Sequence, residues 1–185
     1  MSGFARRLQQ GASVRQAIAG NILAKDDFNR ADGSLGSSDS GTGYSSQPWS
    51  TFGTPISGST PTWGIVNDQV YVTAPGGTNS EAIATIPVSV LAGTAFCDIY
   101  LSPTSSCAAL SMRASSDGST YLNIQLNESE GNYDRIALSK RVAGVTTWLA
   151  AIEPANLGAG FGYTLATVLT ASEISVYVEG VFQFS

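Results

Sequence analysis

The chain has 185 residues, of which 43% are hydrophobic and only 12% charged, and it contains no histidine. That length and apolar share supply the core of one domain, while the scarcity of charge and the abundance of Gly, Ser and Thr exclude a helical bundle. Without histidine there is no Ser-His-Asp or Cys-His catalysis, and zinc loses its commonest nitrogen ligand.

The formal charge of −5 is unevenly spread. Arg6, Arg7, Arg15 and Lys25 put +4 into residues 1–25, which hold no acid, and the remainder carries 5 basic and 14 acidic residues. A body so acidic repels phosphates, which excludes nucleic acid as a partner. Ser13 and Gln16 have capping-box spacing, and Val14, Ile18 and Ile22 then recur every four residues. Residues 1–25 thus read as a basic N-terminal arm, helical or extended, serving either attachment and self-association or as a solvated terminus. No run reaches the ~20 apolar residues of a membrane span, and Arg6-Arg7 is followed by no continuous apolar segment of an export signal.

Residues 26–61 are rich in Gly, Ser and Thr, with one short strand expected near Asp27-Phe28-Asn29. Beyond them come short β-type runs at 63–66, 69–73, 81–88, 94–101, 107–113, 120–127, 134–142, 145–152, 163–169 and 173–178. Asn67-Asp68, Asp117-Gly118, Gly131-Asn132 and Glu179-Gly180 punctuate them with residues that tolerate positive φ. Alternation assigns faces: Leu122, Ile124 and Leu126 oppose Tyr121, Asn123, Gln125 and Asn127. Ile136 and Leu138 alternate with Arg135, Ser139 and Arg141, and Ile174, Val176 and Val178 with Ser175, Tyr177 and Glu179. Each such strand buries one face and wets the other, which predicts an all-β protein built as an antiparallel sandwich over residues 26–185. Cys97 and Cys107 fall on consecutive strands, either bridged or as small buried thiols.

The opening Asp26-Asp27-Phe28-Asn29-Arg30-Ala31-Asp32-Gly33-Ser34-Leu35-Gly36 resembles that of concanavalin-like (laminin-G-like) jelly-roll domains, which recur in bacteriophage tail, fibre and other virion proteins. Residues 63–70, 119–126 and 174–180 match its later strands. The resemblance implies a jelly-roll sandwich and a non-enzymatic virion structural protein, assembled in the host cytoplasm. It would be anchored by its arm to other virion proteins, would form a homo-oligomer, and would display the sandwich for host-surface adhesion. Family domains continue past the hairpin at Glu179-Gly180 into a further strand, so the sheet here either ends short or is completed by another subunit.

Three chemistries remain to be weighed. A glycosidase needs paired carboxylates, but Glu128, Glu130 and Asp134 flank a hairpin tip, and the Glu-x-Asp-x-x-Glu motif of catalytic relatives is missing. Asp26, Asp27 and Asp32 could share a calcium site, although Asp and Asn before a first strand serve as turn formers, so no metal or other cofactor is assigned. Glycan recognition needs aromatic faces with amides and charges, and the wet face offers Tyr121, Asn123, Gln125, Arg135 and Tyr177. A carbohydrate-binding module is therefore the alternative function, in which Trp49 and Trp63 pack and Trp148 is left undecided, its strand being apolar on both faces.

Overall fold

Antiparallel pairing joins all the strands of the computed structural model, which describes residues 22–54, 62–73, 81–101 (except 89 and 91), 107–127 and 134–185 (except 154, 156 and 159). There is no helix among these residues. The arm residues Arg6, Arg7, Val14, Arg15 and Ile18 lie outside them, as do Glu128, Glu130 and the turn at Gly131-Asn132. Ile22 is exposed and not helical. The described residues fall into two compact units within the stretch that reads as one sandwich.

Of the described residues, the smaller unit holds those from 22 to 88 together with 116–118. Strands β1 (Gly33–Ser34), β3 (Thr62–Val66) and β4 (Gln69–Thr73) form one sheet, and β2 (Ser50–Thr54) pairs with β5 (Glu81–Thr85). The β3–β4 turn places Asn67 and Asp68 at φ of 52° and 58°, the left-handed pair that matches strand twist in a two-residue hairpin. Leu35, Ile65 and Ile83 are its buried apolar side chains. Trp63 is part-buried, as a packing residue should be.

Asp27-Phe28-Asn29 is not a strand. Phe28 sits at φ 58°, with its N–H donating to Asp26 Oδ1 at 2.9 Å, so the aspartate bends the chain. Arg30 then turns back on Asp26, donating from Nη1 and Nη2 to the two carboxylate oxygens at 2.8 and 3.0 Å. Trp49 Nε1 donates to Asp26 Oδ2 at 2.7 Å, and the Trp49 ring lies 5.9 Å from that of Phe28. The opening is therefore a loop folded around one carboxylate, whose side chain is only 2% exposed.

The larger unit is a sandwich. One sheet runs in the order β10 (Val145–Ile152), β9 (Arg135–Val142), β8 (Tyr121–Asn127), β7 (Cys107–Met112). The other runs β13 (Val181–Phe184), β12 (Ile174–Val178), β11 (Gly162–Leu169), β6 (Gly93–Tyr100). Their inner faces share one core: Met112, Ile124, Leu126, Ile136 and Leu138 from the first pack with Ile99, Tyr163, Leu165, Leu169, Val176 and Val178 from the second. Burying each Leu, Ile or Val contributes about 1.5–3 kcal/mol, so this cluster dominates the unit's stability. Ile124, Leu126, Ile136, Leu138, Val176 and Val178 face the core as the alternation on β8, β9 and β12 reads. Tyr121 and Ser139, read as wet, are buried as well, and Leu122 is only part-buried.

Residues 181–184 pair with β12 through the turn at Glu179 and Gly180 (φ 54° and 77°), which forms the hairpin read there and makes β13 the edge of its sheet. Cys97 is a free thiol facing the core, and Cys107 is free but exposed, so the pair is neither bridged nor jointly buried. The Cys97 thiol is pushed up to about 12, chiefly by burial and secondarily by the negative charge of Asp98.

Candidate functional site

Four of the five residues expected to contact a glycan share the outer face of the first sheet. Register sets Asn123 opposite Ser139 and Ser111, Gln125 opposite Ala137 and Ala109, and Asn127 opposite Arg135 and Cys107. Ser111 Oγ hydrogen-bonds Asn123 Oδ1 at 2.9 Å, and Gln125 Nε2 donates to Cys107 Sγ. These cross-strand bonds hold both amides in place, Asn123 and Gln125 remaining part-exposed. Tyr121, opposite Arg141, is only 4% exposed and so offers no face for stacking.

Two further residues on this face are buried although they point away from the core: Ala137 at 0% and Ser139 at 3% exposure. The outer face is therefore not uniformly wet. Arg135 extends along it until its guanidinium carbon lies 4.4 Å from the centre of the Trp148 ring, a close cation–π contact. Trp148 is itself paired with Ser139 and 50% exposed. Arg135 Nε is buried with no hydrogen-bond partner among the described residues.

Trp148 is the site residue that periodicity leaves undecided. The register between β10 and β9 slips between Trp148 and Ala150, so Leu149 is an extra residue. Such a bulge sends Trp148 to the outer face while Ala150, one pairing on, packs against the core. Strict alternation through Thr147-Trp148-Leu149-Ala150-Ala151 cannot show this.

Tyr177, the fifth expected residue, is in the other sheet and faces outward on the opposite side of the sandwich. It does not join the other four. Its ring meets Phe182 edge-on at 5.7 Å, and register aligns Phe96, Ala166, Tyr177 and Phe182 in one row across β6, β11, β12 and β13.

The smaller unit carries a shallow polar basin of about 630 Å³ lined by Lys25, Asp27, Asn29, Arg30, Asp39 and Tyr44, among others. Carboxylate oxygens of Asp26, Asp27 and Asp39 come within 4.8 Å of one another there. Asp32, which the sequence grouped with Asp26 and Asp27, lies apart and accepts the Asn67 N–H at 3.0 Å. Asp39 takes its place from further along the chain, accepting the Asp27 N–H at 3.0 Å. The Asn29 N–H, then Lys25 at 3.2 Å, hold the Asp27 carboxyl below its usual range, and Asp27 in turn raises Lys25. Arg30 occupies both oxygens of Asp26. Two of the three carboxylates are thus already paired with the chain's own cations, the third accepts a backbone N–H, and the geometry is that of a folded loop.

No family model matches the chain, and no curated protein is similar to it in sequence. Among solved structures it is similar to the carbohydrate-binding module CBM66 from Bacillus subtilis, with a TM-score of 0.59 at 16% identity. The match covers 72% of this chain and 75% of that one. What the likeness shows is the architecture: this chain has an antiparallel β-sandwich fold shared with a carbohydrate-binding module.

Proposed function

We propose that the protein is a non-catalytic carbohydrate-binding module whose site is the outer face of β7–β10. The observation that carries this reading is the half-exposed Trp148 ring, held by Arg135 and set beside the part-exposed Asn123 and Gln125. An indole provides an apolar face for a sugar ring. Amides supply both donors and acceptors for hydroxyls, and a guanidinium supplies donors in a fixed fork. The shared fold with a carbohydrate-binding module supports the same class of ligand.

The test is affinity electrophoresis through gels containing neutral and acidic polysaccharides, with the full chain and single variants. Trp148→Ala and Arg135→Ala are expected to lose retention on the polysaccharide that retards the parent, while Tyr121→Phe leaves it unchanged. Equal retardation of parent and Trp148→Ala would overturn the assignment of this face, and no retardation on any polysaccharide would overturn the function.

A virion structural role, with the sandwich displayed from an N-terminal arm in a homo-oligomer, is the second reading. It is supported by the opening at residues 26–36 and by the concentration of positive charge in residues 1–25. Deleting residues 1–25 is expected to turn an oligomer into a folded monomer. An unchanged number of subunits by light scattering would count against the arm as an assembly device.

A further inference from the structure

The opposite face of the sandwich carries a different set of groups. Its outward side chains fall into rows fixed by strand register. Thr94, Val168 and Ser175 form one row, Phe96, Ala166, Tyr177 and Phe182 the next, then Asp98 with Thr164, and finally Tyr100 beside Gly162. Adjacent strands are about 4.8 Å apart, so the aromatic row runs for roughly 14 Å. Phe96 is 40% exposed, Phe182 53% and Tyr100 58%.

The row beside the aromatics is rich in acceptors. Thr164 Oγ1 donates to Asp98 Oδ1 at 2.8 Å, and the Thr164 N–H donates to Glu179 Oε1 at 2.6 Å. Glu179 Oε2 is buried with no donor among the described residues. None of the four strands contains a lysine or arginine. The first sheet differs in sign, with Arg135 and Arg141 on its outer side.

Two magnitudes choose the occupant. At 150–250 Å² per aromatic side chain, the exposed parts of these rings amount to roughly 300 Å². A protein partner needs about 800 Å² on each side, whereas a short run of sugar rings is covered by far less. The charge then selects among sugars. Carboxylates repel uronic or sulfated chains, whereas an ammonium group is attracted both to Asp98 and to the faces of Phe and Tyr rings.

From this we infer that the outer face of β6, β11, β12 and β13 is a second carbohydrate site, taking a glycan chain that bears protonated amino groups. The inference rests on the carbohydrate reading proposed above but uses no residue of the Trp148 face. Two sites of opposite charge on opposite faces make the module a bridge between unlike glycans.

The experiment is calorimetric titration of the full chain with glucosamine oligomers and, separately, with their N-acetylated counterparts. The parent is expected to bind the free-amine oligomers at least tenfold more tightly than the acetylated ones. Phe182→Ala and Asp98→Asn should each weaken that binding about tenfold or more, and Trp148→Ala should leave it unchanged. Overturning results are no binding by the parent, equal affinity for both oligomers, or parent-like binding by Phe182→Ala. Loss of binding in Trp148→Ala would also overturn it, by assigning the amino sugar to the first face. Failure here, with Trp148-dependent retention still seen in the gels, removes the second site alone.

Discussion

The indole N–H of Trp49 donates to the buried carboxylate of Asp26 at 2.7 Å, across 23 residues of sequence. The same carboxylate takes both forks of Arg30 and the N–H of Phe28. A short, polar stretch with few apolar residues is thereby ordered around a single charge rather than around a core.

Substituting Asp26→Asn keeps the shape but removes the charge that Arg30 and Trp49 bond. The Arg30 side chain is 28% exposed, so water recovers part of its solvation, and a loss of about 3 kcal/mol is expected. Trp49→Phe removes one hydrogen bond to a charged acceptor and should cost about 2 kcal/mol. Urea unfolding of both variants and their double mutant measures the coupling, which should exceed about 1 kcal/mol. Strict additivity would deny the bond.

The β9–β10 hairpin turns through Ala143 and Gly144 at φ of 49° and 83°. Glycine adopts the left-handed region freely, but alanine pays for its Cβ there. Ala143→Gly is expected to raise stability by about 1 kcal/mol, read as a higher midpoint in thermal unfolding. A lower midpoint would show that the loss of chain entropy on folding outweighs the relieved strain.

The two thiols should differ sharply in reactivity. Cys107 is exposed, whereas Cys97 faces the core with its thiol at about 12. At pH 8 only one equivalent of a thiol reagent should react quickly, and the second only on unfolding. Cys107→Ala should abolish the fast phase. A fast phase persisting in that variant would place Cys97 at the surface.

Cys97 also sets a dependence on alkali. Its ordinary value in an unfolded chain is about 8.5, so above that pH the unfolded state releases a proton that the folded state keeps. The contribution is fully present below about 8.5 and falls by up to about 1.4 kcal/mol per pH unit towards 12. Cys97→Ala should show a shallower loss of stability between pH 9 and 10 than the parent. Parallel profiles would mean that the thiol is solvated.

The sandwich was legible because alternation is a local property. Ile124 and Leu126 are inward in the sequence pattern and inward in the core, as are Val176 and Val178, whereas Leu122, read with them, is only part-buried. Strand 50–54 escaped notice because a stretch with Phe52 as its one large apolar residue shows no alternation, and Glu81–Thr85 is shorter than residues 81–88 suggested, Pro87 following it. The candidate site was harder to see. Asn123, Gln125 and Arg135 could be placed by alternation, but Tyr177 belongs to a different sheet, and only the third dimension separates it from them. Trp148 depended on a one-residue slip. Asp39 and Trp49 reach Asp26 through a long loop whose path no periodicity encodes.

The slip at Trp148 has a partner at the far end of the other sheet, between Val176 and Tyr177 where β13 pairs. Both irregularities thus fall on outermost strands, β10 and β13, which expose a row of backbone donors and acceptors to whatever passes. A strand with one residue too many cannot template a straight neighbour along its length. Val145, Leu149 and Val181 are each about half exposed or more on these strands, without a lysine in either to deter pairing. Resistance to fibril formation at high concentration then falls to the two bulges.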